Sequence, residues 1–216
     1  MSYRKNQLHQ LARMLQENRE AFAQALDKDL AKPKFESYLF EIGGCIERSL
    51  KSAAALEEWS KPEDVPGEVF QRNWNIKIHK SAKGPVLVIA YVRYTSLCKH
   101  RSHHARKKKC RPWNYPLILT LQSIIAAMAS GCPAVMKPSE FAPALAQLLA
   151  DLSPKYLDPN AYVVVNGAVP ETTKLLELKW AHSASFSLFL CWSISGSCLS
   201  NYMQHLFFTV SDLCFK

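Results

Sequence analysis

Two short apolar runs, residues 86–90 (VLVIA) and 133–136 (PAVM), flank a long apolar stretch at residues 117–130, and this pattern restricts the fold more than any other. A brief run rich in β-branched residues, without polar alternation, reads as a parallel strand buried on both faces. Residues 117–130 are apolar almost all round and are followed by Gly131, a natural helix C-cap, so they read as a buried crossover helix. The next strand is residues 133–137. Lys137-Pro138-Ser139-Glu140 then lies at the carboxyl end of a strand in an open parallel sheet, which is where ligands bind in such sheets.

Around this unit the periodicities place further elements. Leu8, Leu11, Leu15, Phe22, Leu26 and Leu30 form one helical stripe, and Leu39, Ile42, Ile46, Leu50, Ala53 and Leu56 form a second. They are read as two packed helices. Trp74, Ile76 and Ile78 alternate with polar residues as in a half-exposed strand. Helix 142–152, strand 162–165 and helix 171–177 follow, with Pro170 near the last helix's first position. The expected class is α/β: N-terminal helices, then one side of a Rossmann-like, doubly wound parallel sheet, incomplete in this chain. The absent strands should leave an unpaired edge and uncovered apolar helix faces.

The residues at the strand ends suit a nucleotide. A lysine there donates to ribose hydroxyls or phosphate, and a glutamate three residues later accepts from a ribose hydroxyl, so Lys137 and Glu140 together form a clamp for adenosine ribose. Asn114, within residues 112–116 (PWNYP), offers a side-chain amide at the mouth of the preceding strand, a suitable place to stabilise an oxyanion.

These motifs do not stand alone. Residues 4–8 (RKNQL), 21–29, 32–42 (KPKFESYLFEI), 83–90 (KGPVLVIA), 112–116 (PWNYP), 131–140 (GCPAVMKPSE) and 156–180 resemble, in order, the aldehyde dehydrogenase superfamily, most closely its class 3, fatty-aldehyde-type branch. The resemblance implies an incomplete aldehyde dehydrogenase fold. It also implies oxidation of an aldehyde to a carboxylic acid, by hydride transfer from a thiol-bound aldehyde to NAD, with NADP possible. Asn114 would be the oxyanion donor, and Lys137, Glu140, Trp113 and Ser139 would hold the cofactor. Glu140 should repel a 2′-phosphate while Lys137 partly offsets this, so NAD is expected ahead of NADP.

Two segments depart from the family's pattern. Residues 91–111 (YVRYTSLCKHRSHHARKKKCR) stand between VLVIA and PWNYP, which are continuous in the family. From residue 183 the chain reads as an atypical tail, where the family continues to a pyrophosphate loop, a general-base glutamate, a nucleophilic cysteine and an oligomerisation strand. Residues 1–182 are thus read as a partial NAD(P)-binding domain interrupted by the insertion, in an inactive fragment not expected to form the family's dimer. An unspliced transcript or defective gene model accounts for both departures. The second reading is a non-enzymatic binding or tail-anchored module on a degenerate nucleotide fold.

Charge is uneven. The chain carries 27 basic and 18 acidic residues, net +9, a balance that suggests nucleic acid or an anionic membrane. Eight of those positive charges lie in the insertion, which has no acid, so the remainder is nearly neutral and no nucleic-acid partner is expected. Cys98, His100, His103, His104 and Cys110 match no common zinc spacing, so no metal is expected either. Cys132 is read as a packed thiol before a buried strand, and Cys45 as a core residue of its helix. Residues 183–211 carry no acidic or basic side chain, but Ser, Asn, Gln and His interrupt them, so membrane attachment is not expected. Without a secretory signal the expected location is the cytoplasm. Residues 91–111 should loop out into solvent. Deleting them should preserve or improve solubility and amide protection in strands 86–90 and 133–137; unfolding of those strands on deletion would make the insertion a structural part.

Overall fold

The first helical stripe breaks at Asn18, whose backbone N–H and side-chain Nδ2 both donate to the Met14 carbonyl, at 3.2 and 2.9 Å. It is thereby shared between α1 (Ser2–Glu17) and α2 (Arg19–Leu30), and Leu8, Leu11, Leu15, Phe22 and Leu26 are all buried. The second stripe holds in part. After the short α3 (Lys34–Glu36), residues Ser37–Gly43 wind as a π-helical segment that runs into α4 (Gly44–Trp59). Ile42, Ala53 and Leu56 are buried as the spacing expects and Ile46 packs against the core, whereas Leu39 and Leu50 are exposed and Cys45 and Ser49 face inward. Gly43 permits the wide turn, since a Cβ there would stand 2.8 Å from the Tyr38 carbonyl oxygen.

This computed structural model describes residues 1–65, 76–90 and 115–185. Readings that fall on Trp74, Trp113, Asn114, the insertion and the tail beyond residue 185 lie outside them. A short antiparallel pair, β1 (Glu63–Asp64) with β2 (Lys77–Ile78), precedes the main sheet.

The main sheet is four-stranded and parallel, built from β3 (Val86–Ile89), β4 (Ala134–Lys137), β5 (Tyr162–Val164) and β6 (His182–Ser185) in the order β5-β4-β3-β6. All four residues of β3 are buried, as their unbroken apolar run requires. Helices α5 (Pro116–Ser130), α6 (Pro143–Tyr156) and α7 (Val169–Glu177) make the crossovers. Gly131 caps α5 in the left-handed conformation, and α6 runs through Pro154 to Tyr156, past its expected end.

The strand order carries a correction. The sequence reading ends the sheet at its fourth element and assigns residues from 183 to a tail, whereas His182–Ser185 pairs in parallel along the whole of β3. Its residues, His-Ser-Ala-Ser, lack the β-branched character that marks a strand, and the pairing is decided by the neighbouring β3 edge. With β6 in place the sheet is wound in both directions from β3. Right-handed crossovers put α5 and α6 on one face and send α7 back across the other. On the α7 side the sheet centre is buried at Leu87 and Ile89, while Val163 of the edge strand and Val169, Leu176 and Leu178 at α7 are exposed.

The N-terminal helices form an outer layer over the crossover helices, with α1 against α4 and α5, and α2 against α6. They do more than cover. Neither α5 nor α6 has a capping side chain of its own, because Tyr115 and Ala142 occupy the N-cap positions. Glu41, on the π segment, supplies the α5 cap by accepting from the Leu117 N–H at 2.9 Å. Asp29, near the end of α2, accepts from the Ala144 and Leu145 N–H groups at 3.1 and 2.9 Å and caps α6. Glu41 is fully buried and paired with Lys32 at 2.7 Å, and the Lys32 ammonium lies 3.8 Å from the centroid of the Tyr115 ring. Burial pushes the Glu41 carboxyl above the usual range, with Lys32 and the Leu117 and Ile118 N–H groups pulling the other way. Lys32→Met should strand this buried carboxylate and lower stability by about 3–5 kcal/mol. The double variant Lys32→Met/Glu41→Gln should recover much of the loss, because a neutral amide still accepts from Leu117. Urea denaturation of the three proteins checks this, and a double variant no more stable than the single one would show that the pair is not coupled.

Candidate functional site

The chain reverses its winding direction between β3 and β6, and in doubly wound sheets ligands bind at the carboxyl ends of such neighbours. Lys137 is the last residue of β4, beside β3, where the Ala90 N–H donates to its carbonyl at 3.0 Å. Its side chain is fully buried. Register sets its direction: Lys137 pairs with Ile89 and Met136 with Val88, so Met136 turns into the core beneath α5 and Lys137 faces the α7 side.

Lys137 and Glu140 meet as the sequence reading expects. Lys137 Nζ lies 3.9 Å from Glu140 Oε2, an ion pair at its outer limit and too long for a hydrogen bond. Glu140 Oε2 is buried and accepts no hydrogen bond among the described residues. Burial drives the Lys137 amine below the usual lysine range, against the opposing pull of the Glu140 and Glu171 carboxylates. Ser139 is buried and holds the turn: its Oγ accepts from the Phe141 N–H at 3.3 Å and its carbonyl from the Ala142 N–H at 3.2 Å. Asn114 and Trp113 lie outside the described residues, though Tyr115, next in the chain, is held beside Lys32.

One residue near this edge escaped the sequence reading. Val165 N–H donates to the Met136 carbonyl at 2.8 Å, which carries the chain after β5 alongside the end of β4 and into the first turn of α7. There Glu171 folds back so that its Oε2 accepts from the Ala168 N–H at 2.8 Å. Gly167 makes room, since a Cβ on it would lie 2.6 Å from the Glu171 side chain. Locally the sequence showed only half of a capping box, a glutamate three residues after Ala168, because alanine at the N-cap has no side chain to accept a hydrogen bond.

The described thiols are not placed for chemistry. Cys132 is buried before β4, at the opposite end of that strand from Lys137, which fits its reading as a packed residue. Cys45 is fully buried in α4 and its thiol is pushed up to about 12 by desolvation. No helix among the described residues is long and apolar enough to cross a membrane.

Comparison with known proteins agrees with this architecture. Residues 109–180 match the model of the aldehyde dehydrogenase family. The chain is 35% identical over 178 residues to aldehyde dehydrogenase family 3 member I1, chloroplastic, of Arabidopsis thaliana, an alignment covering 82% of this chain and 28% of that protein. It is 35% identical over 182 residues to the dimeric NADP-preferring aldehyde dehydrogenase of Rattus norvegicus, covering 84% of this chain and 36% of that protein. Among solved structures, the substrate-bound state of Staphylococcus aureus AldH superposes with a TM-score of 0.71 at 28% identity, covering 85% of this chain and 35% of that one. The chain thus spans about a third of the length of the curated relatives it matches. Its sheet order, its strand-end residues and these alignments agree, and the chain belongs to the aldehyde dehydrogenase family, with sequence relatives in the class 3 branch.

Proposed function

We propose that this chain forms the adenosine-ribose side of a nicotinamide dinucleotide site in an aldehyde-oxidising protein, with Lys137 and Glu140 as the ribose clamp. The observation that supports it most is Glu140 Oε2, a buried acceptor without a hydrogen bond among the described residues, beside a fully buried lysine at the crevice edge. A buried oxygen of this kind costs stability until a donor reaches it, and a ribose hydroxyl is such a donor. The Lys137 ammonium donates to a neighbouring ribose oxygen, and the two charges hold the sugar from both sides. Ser139 keeps Lys137 and Glu140 in register through its turn. Bound dinucleotide supplies the hydride acceptor for oxidation of an aldehyde to a carboxylic acid.

Asn114 is proposed as the oxyanion donor, since its side-chain amide can donate to the oxygen that gains charge when a thiolate attacks the aldehyde. Trp113 belongs to the same segment and is proposed to line the cofactor crevice. Glu140 favours the free 2′-hydroxyl of NAD, while the Lys137 charge tolerates the 2′-phosphate of NADP. That tolerance fits a relative named for preferring NADP. Among the described residues neither thiol, Cys45 or Cys132, is placed to serve as the nucleophile that Asn114 requires, and the reading proposed for this chain is recognition of dinucleotide without turnover of aldehyde.

Binding, stability and turnover measurements test this. Calorimetric titration with NAD should give saturable binding that Lys137→Met weakens by about tenfold or more. The same substitution should leave stability at neutral pH unchanged or raised, since it removes a charge whose burial is unfavourable. The sign follows from the lowered folded value: between it and 10.5 the unfolded chain binds more protons, so stability of the native protein should rise with pH through that window and the Met variant should lack the rise. Equal NAD affinity in both proteins would remove Lys137 from the site. Incubation with an aliphatic aldehyde and NAD should yield no NADH; turnover that disappears on Cys132→Ala would reveal a nucleophile at that position.

A further inference from the structure

Each crossover helix among the described residues begins at the carboxyl edge of the sheet, where a helix N-terminus ordinarily attracts a phosphate. All three starts are already taken by carboxylates. Glu41 caps α5, Asp29 caps α6, and Glu171 closes the first turn of α7 on itself. The caps on α5 and α6 belong to the packing of the N-terminal helices, and α7 differs from both. Its carboxylate comes from its own exposed first turn, next to the end of β4, and Gly167 gives it the room to fold back. The Val165 N–H donates to the Met136 carbonyl, so the turn into α7 leaves the sheet beside the end of β4, where the Glu171 carboxylate acts on Lys137 and Glu140 Oε2 lies 3.9 Å from Lys137 Nζ.

We propose that Glu171 is a specificity-determining residue of the ribose site: held at the start of α7, its carboxylate repels a 2′-phosphate from the Lys137 side and occupies the helix N-terminus that would otherwise receive it. The inference rests on the assignment of Lys137 and Glu140 to ribose and adds a second carboxylate to the discrimination. A free 2′-hydroxyl carries no charge and is indifferent to Glu171 at this range, whereas a 2′-phosphate carries close to two negative charges. The selection is therefore one-sided. Removing the Glu171 charge improves the phosphorylated ligand without improving the other.

The experiment uses the full chain with two probes, adenosine 5′-monophosphate and adenosine 2′,5′-bisphosphate, titrated calorimetrically at low ionic strength. Glu171→Gln keeps an oxygen to accept from the Ala168 N–H, so α7 retains its cap and thermal unfolding should not move. The expected result is a gain of about fivefold in affinity for the bisphosphate, with the monophosphate unchanged. Glu177→Gln, at the far end of the same helix, should alter neither affinity. An unchanged ratio in Glu171→Gln overturns the proposal, as does an equal gain for both probes, which would mark a general relief of negative potential. A shift seen in Glu171→Ala but not in Glu171→Gln also overturns it, because the cap and not the charge would then be responsible. Failure of the unsubstituted chain to bind either probe refutes the ribose assignment itself, a result separate from failure of selectivity in a chain that binds both.

Discussion

The start of α5 has no local cap, and Glu41 takes that place from a segment 76 residues away in sequence. A buried carboxylate is tolerated only with a partner, and Lys32 is that partner at 2.7 Å. The aromatic ring of Tyr115 then sits against the same ammonium. One buried contact thereby joins the N-terminal helices to the beginning of the crossover helix and fixes the residue that follows Asn114. The π-helical turn at Ser37–Gly43 is the local distortion that goes with it, since it turns Ser37, Glu41 and Ile42 inward together.

The central architecture was legible because it rests on burial. The apolar runs at β3 and β4, and α5 with its terminal Gly131, lie within a residue of where hydrophobic pattern places them. Legibility failed where a neighbour overrides local preference. Strand β6 is polar and small, and only the edge of β3 makes it a strand. Of the second stripe, Ile42, Ala53 and Leu56 are buried as their spacing expects, whereas Leu39 lies exposed in the π segment and Leu50 is turned outward in α4, where its neighbour Ser49 is the buried residue.

The site divides in the same way. Lys137 and Glu140 were legible because strand-end position and three-residue spacing already bring them together. Their contrasting environments were not, because the burial of the lysine depends on which face of β4 it occupies and on what crosses that face. Glu171 was hidden by distance in sequence: nothing local links a residue in the first turn of α7 to one at the end of β4 until β5 pairs beside β4. Asp29 and Glu41 cap helices 115 and 76 residues further along the chain, so no local pattern marks their role.

The long-range caps also tie together parts of the chain that are made far apart. The capping carboxylates and the amides they serve are separated by 76 residues for α5 and 115 for α6, so both contacts close large loops. Synthesis presents Asp29 and Glu41 before the residues of the helices they serve. Closing each loop costs entropy, which the cap must offset together with the apolar packing around it. The starts of two crossover helices are thus held by the segment that was made first.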